Sequence, residues 1–146
     1  MLPTSRRLVV VSLLYIAWSL VGATIAIAQG LHAGFGGAES RQSVTEDFVS
    51  GNGTALSPPL YWLAGQLGLT ALLLRSDSWG KLAAGGLAIA GVATLVGAVG
   101  EPITLVVFAP ATFEPLKAVI QAGMIAIPAV LAVLGWQDLS RRRAIR

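Results

Sequence analysis

Glu101 is the residue of this sequence with the strongest claim to acid–base chemistry. It closes an apolar stretch in which Gly86, Ala90, Ala93 and Gly97 fall along one stripe at helical spacing. Small residues so placed let two membrane helices approach closely, and a carboxylate capping their seam would be partly desolvated and suited to proton exchange. The plainer reading is a carboxylate at the end of a span, in ordinary contact with water.

Two further polar stripes stand out. Ser12, Tyr15, Ser19, Gly22 and Gln29 lie near one face of the first apolar run, and Trp62, Gln66 and Thr70 recur at four-residue steps in the second. Facing one another, Tyr15, Gln66 and Thr70, joined by Gln121 and Thr94, would line a pocket for a lipid or small apolar molecule. The same stripes would equally serve as interhelical hydrogen-bonding contacts, a routine packing device in membranes. His32 could join Glu101 or Glu114 in a proton relay, or stand solvated in its loop.

Much chemistry is excluded by composition. With no cysteine and a single histidine, the sequence lacks thiolate and multi-histidine metal sites and redox dithiols, and no cofactor or metal is expected. It has no phosphate-cradling Gly-rich loop with its Lys-Ser/Thr and no serine–histidine hydrolase signature. The net charge of +3 comes from arginines clustered at the two ends without interleaved aromatics, which argues against nucleic acid.

The elements that must position these residues are membrane spans. A hydrophobic content of 55% with 12% charge is far more apolar than a soluble domain needs, and the charges sit between long apolar runs. The sequence predicts an all-α polytopic membrane protein, a single transmembrane domain over 1–146 with four helices in an up-down bundle at about 8–28, 58–74, 82–100 and 116–136. Ser57 would cap the second helix with Pro58 in its first turn, and Pro128 would bend the fourth. The first run is read as a retained anchor, although Ser5-Arg6-Arg7 and Ala26-Ile27-Ala28 also have features of a cleavable signal. Glu101-Pro102 either kinks or ends the third helix, and segment 101–109 is left open.

Residues 32–57 read as a water-exposed loop. Within it Ser43-Val44-Thr45-Glu46 has capping-box form, opening a short surface helix that carries Val44, Phe48 and Val49 near one face. Tyr61, Trp62, Trp79 and Trp136 are expected as interfacial anchors. Arg6, Arg7, Arg75, Lys81, Arg141, Arg142, Arg143 and Arg146 fall on one side, against Arg41 and Lys117 on the other. That bias predicts a multi-pass plasma-membrane protein, of bacterial type by composition, with both termini cytoplasmic and 137–146 as a basic tail.

The expected function is that of a non-enzymatic helper or lipid-contacting component, with the bilayer as partner and a homo-oligomer or a membrane protein as further candidates. Two alternatives stand beside it. One is an intramembrane enzyme or binder of an apolar small molecule, using Glu101 as catalytic acid/base with Tyr15, Gln66, Thr70 and Gln121 lining the pocket. The other is a small proton-coupled transporter.

Overall fold

The computed structural model describes residues 3–34, 42–75 and 78–144. Glu39, Arg41 and Arg146, and part of the connection from Arg75 to Lys81, lie outside them. The described residues form six helices: α1 Pro3–Gln29, α2 Val44–Ser50, α3 Leu60–Leu72, α4 Ser78–Gly100, α5 Pro102–Phe108 and α6 Pro115–Ala144. Three of these, α1, α4 and α6, are long and apolar enough to cross a bilayer, which marks the chain as an integral membrane protein. Val10, Ile89, Val96 and Val130 stand exposed on their outer faces, as suits side chains solvated by lipid.

The second helix departs from expectation. α3 has 13 residues, about 20 Å at 1.5 Å per residue, against roughly 30 Å of hydrocarbon. Its cap is Pro59, in extended conformation, rather than Ser57. The reason is local: a residue that precedes proline is driven out of the helical region, so Pro58 cannot lie in the first turn when Pro59 follows it.

One end of the bundle gathers the start of α1, the end of α3, the start of α4 and the end of α6. There Asp138, with no exposed surface, accepts from Ser5 Oγ at 2.6 Å and from Arg142 Nε at 2.7 Å. Arg142 also donates through Nη2 to Ser5 Oγ at 3.0 Å and to the Leu73 carbonyl at 3.1 Å, and through Nη1 to the Arg75 carbonyl at 3.1 Å. The guanidinium thus satisfies carbonyls of the C-cap residue Leu73 and of Arg75, where the chain leaves α3. Gly80 leaves room for it, since a Cβ there would overlap both the Arg75 carbonyl and Arg142 Nη1. The segment expected as a basic tail is helical, since α6 continues to Ala144; within it Asp138 and Arg142 are held in the bundle while Arg141 and Arg143 are exposed.

The most extensive helix packing is between α4 and α6. A Cβ on Gly91 would come within 2.6 Å of the Ala132 nitrogen and 2.7 Å of the Pro128 carbonyl oxygen, and one on Gly135 within 2.7 Å of the Ala88 nitrogen. These are backbone-to-backbone contacts of the kind that only small residues permit. α6 runs through the buried Pro128 as one helix.

At the opposite end, Glu101-Pro102 ends α4, and Pro102 opens α5 at a position where its missing N–H is harmless. α2 forms behind the expected capping box. Ser43 Oγ accepts from the Glu46 N–H at 3.2 Å, and Glu46 Oε2 accepts from the Ser43 N–H at 2.9 Å. The second of these bonds, to the backbone, is the main reason Glu46 titrates below the usual glutamate range. Val44 and Phe48 are buried, whereas Val49 is exposed.

Candidate functional site

Residues 53–57 are buried rather than water-exposed. Every backbone N–H along the stretch has an acceptor: Gly53 donates to Asp47 O, Thr54 to Ser57 O, Ala55 to Leu31 O, Leu56 to Thr54 Oγ1 and Ser57 to Thr54 O. Pro58 and Pro59 have no N–H to satisfy. With its N–H donors satisfied in this way, irregular backbone can lie inside a membrane protein. The turn depends on Gly53, whose φ of 91° disfavours any side chain and whose Cβ would meet the Ser57 carbonyl oxygen at 2.6 Å.

The stretch reaches well below the ends of the long helices. The Leu56 carbonyl packs against Gly22, where a Cβ would overlap it, and Ile120 lies alongside. Gly22 is six residues inside the apolar run of α1, and Ile120 is two inside the run of α6 that follows Lys117. Leu56 therefore sits about 3–9 Å within the apolar zone. α3 starts from that depth and runs to the Arg142 cluster.

Because α3 begins low, the half of α4 nearest the loops faces no helix on that side. The result is a cleft of about 420 Å³ between segment 52–62 and α4, within the size range of small-molecule sites. Ala93 and Gly97 form its α4 wall, Trp62 and Pro58 face them, and Gln121 and Met124 of α6 lie at its base. The small-residue stripe is therefore divided. Gly86 packs on Leu69 of α3, while Ala93 and Gly97 leave the cleft open rather than form a seam.

Of the sequence-predicted site residues, Glu101, Thr94 and Gln121 line this cleft, whereas Tyr15, Gln66 and Thr70 do not. Glu101 stands half-buried at the mouth and accepts the Gly34 N–H at 3.0 Å. It is the one charged residue lining the cleft among the described residues. Tyr15 is fully buried beneath the cleft, its hydroxyl beside those of Ser19 and Thr94 but without a hydrogen bond of good geometry. Gln66 and Thr70 lie in an α1–α3 contact: Ser12 Oγ is 2.7 Å from Thr70 Oγ1, and Gln66 Nε2 donates to Ser12 Oγ at 3.1 Å. In these positions the two polar stripes join helices.

Other assignments change as well. Trp62 is half-buried in the cleft wall and donates through Nε1 to Thr94 Oγ1 at 3.3 Å, rather than anchoring at the interface. Tyr61, Trp79 and Trp136 are exposed. His32 pairs with neither Glu101 nor Glu114; its Nδ1 is 3.1 Å from the Asp47 carboxylate, and Glu114 pairs with Lys117. Trp18, not singled out in the sequence, donates from α1 to the Ile120 carbonyl at 3.0 Å. The best sequence signal for the cleft was Pro58-Pro59, two adjacent residues that together bar a helix.

The fold and the cleft define a small helical membrane protein of several passes, with a pocket at one end of its bundle. No protein-family model matches the chain, and neither the curated proteins nor the solved structures contain a match.

Proposed function

We propose that this protein is a non-catalytic membrane component that holds an amphipathic, lipid-like molecule in the cleft between segment 52–62 and α4. The observation that carries this reading is the cleft itself. Its walls are mostly apolar, its one charged lining residue is at the mouth, and its base lies at hydrocarbon depth. Tyr61 and Ala93, both exposed, flank a side opening through which a chain could enter from the bilayer. Segment 53–59 and the 20 Å of α3 together match a bilayer core, so they make the fourth crossing of an up-down arrangement.

A mid-chain diazirine on an acyl probe is expected to label residues 53–62 and Met124 preferentially when activated in nanodiscs. Gly97→Leu, which fills the cleft from the α4 wall, should reduce that labelling severalfold. Labelling spread evenly over the lipid-facing surfaces around Val10, Ile89 and Val130 would overturn the reading.

The clustered basic residues place the Arg142 end in the cytoplasm of a plasma-membrane protein under this proposal, so the cleft serves the outer leaflet. The chain has no native cysteine, which makes the orientation simple to test. Exposed Ser140 changed to cysteine should react with an impermeant maleimide only after permeabilisation of intact cells. Reaction from outside would reverse the assignment.

A further inference from the structure

We infer that residues 102–113, helix α5 and the turn after it, lie in the bilayer interface at the cleft end of the bundle, with Leu105, Val106, Phe108 and Phe113 set against lipid rather than water. The partner is the lipid surface itself, required whether or not the cleft holds a ligand.

From Pro102 to Phe113 no residue is charged, and Glu101 and Glu114 bracket the run. α5 has seven residues, about 10 Å at 1.5 Å per residue, which is far short of a crossing. An uncharged helix of that length between two carboxylates suits the plane of the interface, where an apolar face is buried and the ends reach water.

The fold sorts the side chains of the segment into two sets. Thr104 and Val107 are buried, and Ile103 packs against the core that includes Tyr15, Ile120 and Met124. Leu105 is 78% exposed, more than any other large apolar side chain among the described residues, and Val106, Phe108 and Phe113 are exposed beside it in the chain. Phe113 leads directly into Leu116 and Val119, which are exposed where α6 begins, and α5 packs on α6. The apolar surface of the segment therefore continues the outer face of a membrane-spanning helix.

Depth agrees with this. Thr104 Oγ1 donates to the Ala98 carbonyl, inside the last turn of α4, and accepts from Gln121 Nε2. Gln121 is three residues inside the run of α6 that follows Lys117, about 5 Å. The chain leaving α4 thus folds back beside the spans instead of rising away from them. Neither hydroxyl of the segment depends on water for an acceptor, since Thr112 donates to the Val106 carbonyl. An exposed apolar patch of this kind marks a contact surface, and lipid is the cover already facing Val99 of α4 and Val119 of α6, both exposed on either side of it.

The test uses the full chain, which has no native cysteine, in phosphatidylcholine nanodiscs. Leu105→Cys and Phe108→Cys each carry a nitroxide, and collision with oxygen, which concentrates in lipid, is compared with collision with a water-soluble nickel chelate. Val130→Cys on the outer face of α6 and Ser140→Cys near its end provide the lipid and water references. Both labels are expected to meet oxygen severalfold more than nickel, with a ratio between the two references that corresponds to a depth of about 5–10 Å into the interface. Nickel contact equal to that of Ser140→Cys would put the segment in water and overturn the inference. Exclusion of both reagents would mean that protein covers the face, as a second copy of the chain would, and would overturn it as well.

Discussion

Replacing Arg142 with methionine is expected to destabilise the bundle by about 3–5 kcal/mol, the usual consequence of removing one partner of a buried ion pair. Asp138 has no exposed surface, and without the guanidinium its carboxylate would keep only the Ser5 hydroxyl as a described side-chain partner. The Leu73 and Arg75 carbonyls would lose their donor in the same step. Reversible unfolding in mixed micelles measures the change, with exposed Arg143→Met as the control expected to stay within about 0.5 kcal/mol. The contrast decides between two roles. As a topology signal alone, Arg142 would be interchangeable with Arg143, and the two variants would unfold alike. The double variant Asp138→Leu/Arg142→Met should recover much of the loss, because it removes the stranded charge and puts apolar volume in its place.

That cluster was the least legible part of the chain. An aspartate among four tail arginines reads as a solvated face, and its i, i+4 spacing to Arg142 is also common on exposed helices. Only the tertiary approach of Ser5 and the end of α3 removes the pair from water. The long helices were legible because their apolar runs, α1, α4 and α6, are set by the need to satisfy backbone groups within one segment. The Ser43-to-Glu46 box was legible because capping is local. α3 was over-extended because hydropathy cannot distinguish an apolar helical turn from a buried irregular stretch. Leu56, Pro58 and Pro59 suit either, and the proline pair alone carried the correct signal. For the candidate site, sequence spacing pointed to Glu101 and Gln121, which share the cleft. Tyr15, Gln66 and Thr70 were grouped with them by helical phase, but phase does not give the depth at which α3 begins.

The same depth explains why two neighbouring glycines of α4 should respond oppositely to leucine. At Gly91 the new Cβ would meet backbone atoms of Ala132 and Pro128 at 2.6 and 2.7 Å, and backbone cannot step aside as a flexible side chain can. α4 and α6 would have to separate along their most extensive contact, a loss expected to reach about 3 kcal/mol or more. At Gly97 a Cβ would meet nothing within 4 Å, because α3 starts too low to cover that turn. Gly97→Leu should therefore unfold at the wild-type midpoint or slightly above it, helped by the better helix propensity of leucine. Unfolding curves for the pair provide the check. Equal destabilisation would mean that another surface closes over Gly97 and that the cleft does not persist in the bilayer. An intact Gly91→Leu protein would mean that α4 and α6 are not in backbone contact. If the two separate as expected, Gly97→Leu keeps the fold while filling the cleft, and any loss of acyl labelling in that variant is attributable to the site.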